Sequence, residues 1–365
     1  MALQADAKLP KEALLTEALN RILEDQPPQE AYGPEVRGLF SGPTSLAYLF
    51  LNVSAERPEL LINSYNAMYW SKAYLSGERT SLTFEPDKRC GVSSEVLAYL
   101  ALRAVVYKDN TLVEAFHEKV IEVLSTPTEP EWIYGRAGTL YLTRLICHWF
   151  PESSTILSES IAKLRASLVK EGPNWMFYGL QDIGAAHGSI GIITQIILSS
   201  PLPEERQVLQ TWLIRLLNLQ MSNGNWPYSE NNDKGHVQFC HGAPGFVQGL
   251  LSIRNSFPDL HNEIDQAIKK ANDLIEQSLI LQKEPNLCHG SFGNGLCLPL
   301  DRRDKFLFHA TPDMVKTAKE NDPSVFLKAN FGQESSLLAA YWPGAAWTWL
   351  VSQKEDAGII GFNDV

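Results

Sequence analysis

The chain has 365 residues, 44% hydrophobic and 20% charged, with 21 Pro and 24 Gly, which supports a large core in one big domain or two ordinary ones and excludes disordered, collagen-like and small disulfide-framework classes. Thirty-one Lys and Arg against 42 Asp and Glu leave a net charge of −11, and without a basic cluster interleaved with aromatics no nucleic-acid partner is expected. No apolar run has the roughly 18 to 20 residues of a spanning helix, and the N-terminal MALQADAKLPKEALL is charged where a signal peptide is apolar, so no transmembrane segment is expected. The five cysteines have no regular framework spacing, which points to reduced thiols and a cytoplasmic setting.

Residues 1–30 read as an N-terminal helical extension. From there one pattern recurs seven times: a small-residue turn, often G-x-x-G, running into an apolar stretch. The anchors are Gly42 in FSGPTSLAYLFL, Ser93 in CGVSSEVLAYLAL, Gly135 in IYGRAGTLYLTRL, Gly188 in AHGSIGIITQIIL, Gly242 in CHGAPGFVQGLL, Gly290 in CHGSFGNGLCL and Tyr341 in YWPGAAWTWLV. Successive spacings are 51, 42, 53, 54, 48 and 51, enough for a second helix after each turn and its helix. Amphipathic helices are predicted over 113–124, 154–168, 203–220 and 261–280; in the last, Ile264, Ala267, Ile268, Ala271, Leu274 and Ile275 recur at three and four. The stretches that follow the turns are apolar nearly all round, and their alternation with amphipathic segments favours buried helices over strands. The prediction is an all-α barrel of seven helix pairs over 1–365, an inner ring within an outer ring, with every turn at one end. Glycine suits turns that converge near an axis, because it permits close backbone approach and positive φ. Function is expected at that end.

Two turns stand apart, Cys240-His241-Gly242 and Cys288-His289-Gly290, 48 residues apart and in register. In neighbouring repeats their thiols and imidazoles would face one another, and thiolate sulfur with imidazole nitrogen is the donor set of tetrahedral zinc. Adjacent residues rarely both reach one small ion, so one turn is expected to supply both residues and the other only its cysteine, leaving an open position. That register sets Cys240 and Cys288 apart from Cys90, Cys147 and Cys297, which read as packing.

The strings YGRAG (134–138), GAAHGSIG (184–191), GNWP (224–227) with CHGAPG (240–245), and LCHGSFGN (287–294) resemble the lanthionine synthetase C-like proteins, especially their eukaryotic branch. The resemblance covers six of the seven repeats, the stretch from Asn330 to Leu350 departing most. It implies a double α-toroid of fourteen helices, and it implies Cys240, Cys288 and His289 as ligands of one zinc ion, with water or a substrate thiol in the fourth position. Bacterial members add a peptide cysteine to dehydroalanine or dehydrobutyrine; eukaryotic members look like proteins that bind glutathione and add it to dehydroamino acids in damaged proteins. The implied activity is therefore zinc-dependent C–S bond formation, a thioether synthase resembling a glutathione transferase.

Such an addition creates an enolate that must be protonated at carbon, which requires a proton carrier. By resemblance His187 is the acid/base histidine, His241 the second candidate where bacterial relatives carry tyrosine, and Glu131 stands near a bacterial aspartate. His236 falls where those relatives have arginine, a departure that affects the bacterial proton relay. Lys283 and Arg136 are the candidate cations for glutathione carboxylates, with Tyr134 beside them in substrate binding. Helical-barrel glycosidases need two facing carboxylates and zinc prenyltransferases an Asp-x-Cys arrangement; neither pattern is evident, although Glu131 and Asp182 lie near the turns. The alternative function is a non-catalytic zinc- and glutathione-binding adaptor or regulatory protein. Expected partners are glutathione or a thiol-containing peptide, and a peptide or protein bearing a dehydroamino acid.

Overall fold

A computed structural model describes residues 9–365 apart from 81, 233, 280, 281 and 329–333. Residues 1–8 of the predicted extension, residue 280 of the predicted fourth amphipathic helix, and residue 330 at the start of the divergent stretch lie outside the described residues. In chain order the helices are α1 (Lys11–Asp25), α2 (Pro43–Glu56), α3 (Ala67–Ser76), α4 (Glu95–Tyr107), α5 (Asn110–Ser125), α6 (Arg136–Trp149), α7 (Ser154–Glu171) and α8 (Ser189–Leu198). They continue with α9 (Pro203–Asn218), α10 (Ala243–Ile253), α11 (His261–Gln277), α12 (Ser291–Leu296), α13 (Leu300–Phe308), α14 (Pro312–Asn321) and α15 (Tyr341–Val351). Two two-stranded ribbons decorate the first repeat: Ala31–Tyr32 beside Glu78–Arg79 in parallel, and Leu61–Ile62 beside Tyr65–Asn66 antiparallel.

The chain is all-α, and its contacts close a ring. Helix α2 touches α4, α4 touches α6, then α8 and α10 follow, and α12 touches α15, which returns to α2. Between α10 and α12 the link is Cys297, whose thiol donates to Pro244 O at 3.1 Å. Outside this ring α3, α5, α7, α9, α11 and α13 each pack on the inner helix that precedes them, and α1 packs on α15. The first helix thus covers the last inner one.

Burial explains the two helix types. In α8 every residue from Ser189 to Ile197 is buried, because neighbours stand on all sides; in α11 only Ile264, Ala267, Ala271 and Ile275 are, a single stripe facing α10. The outer helices differ from the predicted spans mainly at their ends. Helix α5 starts at Asn110 because Asp109 caps it, its carboxylate accepting the Thr111 N–H at 2.8 Å.

Five anchor glycines, at 42, 135, 188, 242 and 290, are the N-caps of α2, α6, α8, α10 and α12; Ser94 and Ala340 cap α4 and α15, each one residue from the predicted anchor. The second glycine of G-x-x-G has a steric cause. A Cβ on Gly138, Gly191, Gly245 or Gly293 would stand 2.0, 2.1, 2.1 or 1.9 Å from the carbonyl oxygen six residues earlier, so each turn folds its own backbone onto the first turn of its helix.

These turns converge on one face, where hydrogen bonds pass from repeat to repeat. Leu39 N donates to Val92 O (2.8 Å), Val92 N to Trp132 O (3.2 Å), Ala186 N to Cys240 O (3.4 Å), Cys240 N to Cys288 O (3.0 Å) and Cys288 N to Leu338 O (2.9 Å). Between the third and fourth turns the link is His187 Nδ1 against Glu131 Oε2 at 2.9 Å, and Ser336 Oγ joins the last turn to the first on Phe40 O at 2.7 Å. No helix among the described residues is long and apolar enough to cross a membrane.

Candidate metal and acid–base site

Cys240 and Cys288 occupy equivalent places in adjacent turns, and the backbone bond between them fixes their register. One ligand atom from each of Cys240, Cys288 and His289 lies within 4.8 Å of the others, and all three residues are buried. His289 is held in place by Asn286, whose Oδ1 accepts the His289 N–H at 2.9 Å while its amide donates to Glu284 O at 2.9 Å. Gln238 Nε2 donates to Cys240 Sγ at 3.3 Å. A hydrogen bond from the Cys288 thiol holds the Cys240 thiol well below its ordinary value against the opposing effect of burial, with His289 adding to it, while Cys240 and burial raise the Cys288 thiol. Two soft sulfurs and one imidazole, converging and buried, suit zinc in chemistry and number. Cys90 and Cys297 are different: burial pushes each thiol up to about 12, as befits packing residues.

Two histidine–carboxylate pairs flank this group. Glu131 is fully buried and accepts the N–H groups of Ile133 (2.7 Å) and Tyr134, and its Oε2 meets His187 Nδ1 at 2.9 Å. A carboxylate on Nδ1 selects the tautomer that carries its proton there and leaves Nε2 for other work. The His187 ring lies parallel to Phe177 at 4.2 Å and to Tyr134 at 5.9 Å. Next to it, His241 Nδ1 meets Asp182 at 3.1 Å, and Asp182 accepts the Gly184 N–H at 2.6 Å. Burial disfavours the charged form of His241, but the bond to Asp182 and the charge of Cys240 outweigh it, so its proton affinity is raised. The His187 and His241 rings are 6.1 Å apart. In each pair the carboxylate of one repeat orients the histidine of the next. Sequence reasoning missed the role of Asp182; its only signal is a carboxylate six residues before an anchor glycine.

Of the candidate cations, Lys283 is half-buried, and its ammonium has no hydrogen-bond or ion-pair partner among the described residues; its charge is felt at Cys288, His236 and His241. Burial, aided by Lys283, lowers the proton affinity of His236. Arg136 is drawn instead to Glu171 and to Thr128 O at 3.5 Å. Tyr134 walls a cavity of about 640 Å³ that also meets Phe84, Arg89 and Tyr178. The GNWP segment braces α10: Asn225 Oδ1 accepts the Ala243 N–H at 2.7 Å, and Trp226 stacks on Phe246 at 4.3 Å.

Comparison with known proteins gives a consistent picture. The profile of the family described as lanthionine synthetase C-like protein matches residues 3–303. Glutathione S-transferase LANCL1 of Danio rerio is 26% identical over 188 residues, 45% of this chain and 44% of that protein, so the aligned part spans a little under half of this curated relative. Among solved structures, nisin cyclase aligns with a TM-score of 0.57 at 14% identity over 95% of this chain and 94% of that one, a likeness of fold.

Proposed function

Because the chain belongs to the lanthionine synthetase C-like family, we propose that it adds a thiol, from glutathione or a peptide cysteine, to dehydroalanine or dehydrobutyrine in a peptide or protein, with one zinc ion as cofactor. The observation that carries this reading is the buried Cys240–Cys288–His289 group beside a histidine anchored on a buried carboxylate. Those three residues would hold the ion, and zinc when bound makes a thiol acidic enough to be a nucleophile at neutral pH. Cys240 and Cys288 as thiolates offset the charge of the ion, so that the substrate sulfur keeps its reactivity.

The chain's own groups manage protons and orientation. Attack forms the C–S bond at the β-carbon and moves the π pair to the α-carbon and its carbonyl; a proton must then reach the α-carbon. His187, tied through Nδ1 to Glu131, presents Nε2 for that transfer, and His241, tied to Asp182, is the second carrier. The proton released by the thiol equals the one delivered to carbon, so the pair ends each cycle as it began. Lys283 meets a substrate carboxylate, Tyr134, stacked beside His187, contacts the substrate next to the acid–base pair, and Arg136 braces the third turn through Glu171. A cytoplasmic, reducing setting keeps the ligand thiols available.

The test is zinc content together with turnover of glutathione on a dehydroalanine peptide, for wild type, Cys288→Ala and His187→Ala. Stoichiometric zinc and thioether product are expected, with metal lost in the first variant and activity alone lost in the second, by about 10²- to 10⁴-fold. A folded wild type without zinc would overturn the metal assignment; zinc and glutathione binding without product would overturn the catalytic one.

A further inference from the structure

Past α15 the chain turns inward. Residues 357–365 enter the inner ring, and five inner helices meet their polar groups. Gln248 of α10 donates to Ala357 O (3.3 Å), Trp347 of α15 to Gly358 O (3.0 Å) and Gln195 of α8 to Gly361 O (2.5 Å). Tyr48 of α2 and Tyr141 of α6 both donate to Asp364 Oδ2, at 2.7 and 2.6 Å, and Asp364 Oδ1 accepts the Gly361 N–H at 2.9 Å. The Asp364 carboxylate is only partly exposed, and a group withdrawn from water is costly unless its oxygens are satisfied; here three donors satisfy them.

At the apex of this loop Phe362 is fully buried. Its ring stands edge-on to Phe239 at 5.2 Å and to Trp132 at 5.9 Å, and those two rings meet edge-on at 6.2 Å. Gly361, at φ +91°, lets the backbone pass beneath the indole: a Cβ there would be 2.3 Å from the Trp132 ring. Trp132 is the chain neighbour of Glu131, and Phe239 of Cys240. Neighbours share a planar peptide, so a ring shift that displaces the backbone also displaces the residue beside it.

We propose that Phe362 is a positioning residue: by filling the space between Trp132 and Phe239 it sets the turn that carries Glu131 against the turn that carries Cys240. The proposal rests on the metal and acid–base reading of those turns. Its ring contacts reach the two turns, whereas an ordinary core residue such as Phe116 on α5 lies in the outer ring, away from them.

The test compares full-length Phe362→Ala, Phe362→Leu and Phe116→Ala. Both alanine variants are expected to stay helical by circular dichroism and to melt earlier. Only Phe362→Ala is expected to shift the thiolate charge-transfer and d–d bands of the cobalt-substituted protein and to release metal to a chelator about 10- to 100-fold faster. Its kcat is expected to fall about 100-fold with KM for glutathione little changed, and the rate of iodoacetamide alkylation of metal-free Cys240 to change several-fold. Phe362→Leu is expected to recover most of each reading. If the two alanine variants lose stability alike and none of the four readings separates them, Phe362 is a core residue and the proposal falls. If wild type takes up neither cobalt nor zinc, the metal reading fails while alkylation still decides, an unchanged rate in Phe362→Ala overturning the proposal. Should Phe362→Ala not fold, Asp364→Asn keeps the ring and loosens its anchor; it is expected to move the same readings less far, and no movement overturns the proposal.

Discussion

The fifth and sixth turns carry the same tripeptide, Cys-His-Gly, yet their histidines part company. At the fifth turn Gly242 has φ +107° and His241 turns to Asp182; at the sixth Gly290 is extended at φ −125° and His289 joins the two cysteines. The surroundings of the two turns differ as well. A Cβ on Gly242 would stand 1.8 Å from His236 O, and Asn225 holds the backbone just beyond it through the Ala243 N–H. At the sixth turn Asn286 binds the His289 N–H itself. Identical residues in identical register thus sit in different surroundings, each turn braced by its own asparagine.

The largest effects should erase the comparison. Cys240→Ala and Cys288→Ala are both expected to reduce zinc from about one per chain to near zero, measured by elemental analysis, because each removes one of the three proposed protein ligands. Next come the histidines. His289→Ala should weaken metal retention by at least about 100-fold in chelator competition, beyond what loss of a residue supporting the ligands costs. His241→Ala should keep its metal and lose about 10²-fold in turnover; equal metal loss in the two would sink the distinction.

Smaller effects sharpen it. Asn225→Ala and Asn286→Ala each leave buried backbone groups short of a partner, at about 1–3 kcal/mol of stability, read as a lowered thermal midpoint. Only Asn286→Ala is expected to loosen the metal as well, and if Asn225→Ala does so equally, the asparagines are not what separates the turns. Smallest is Lys283→Ala, expected to raise KM for glutathione about tenfold, the scale of one hydrogen bond to a charged group, with kcat unchanged. A fall in kcat at constant KM would instead place Lys283 in the chemistry.

Much of this architecture was legible because the repeat imposes strict demands. An inner helix with neighbours on every side must be apolar all round, as α8 is, and a turn whose carbonyl folds onto its own helix must carry glycine, as at Gly191 and Gly245. Cys240 and Cys288 stood out because register in a repeat translates directly into proximity in space. The pairing of His241 with Asp182 did not, since the two lie 59 residues apart and no periodicity connects a carboxylate to an imidazole. Arg136, attractive by position, is drawn to Glu171 on the outer helix α7.

The sequence by itself determined the all-α class, the sevenfold alternation of inner and outer helices, the common face of the turns and the two cysteines in register, because these follow from local periodicity and steric need. Tertiary structure alone decided that α1 covers α15, that His241 pairs with Asp182, and that residues 357–365 fill the axis with Phe362 under Trp132 and Phe239. Those outcomes depend on contacts between segments far apart in the chain, where the competition among partners for one space is settled only once the ring has closed.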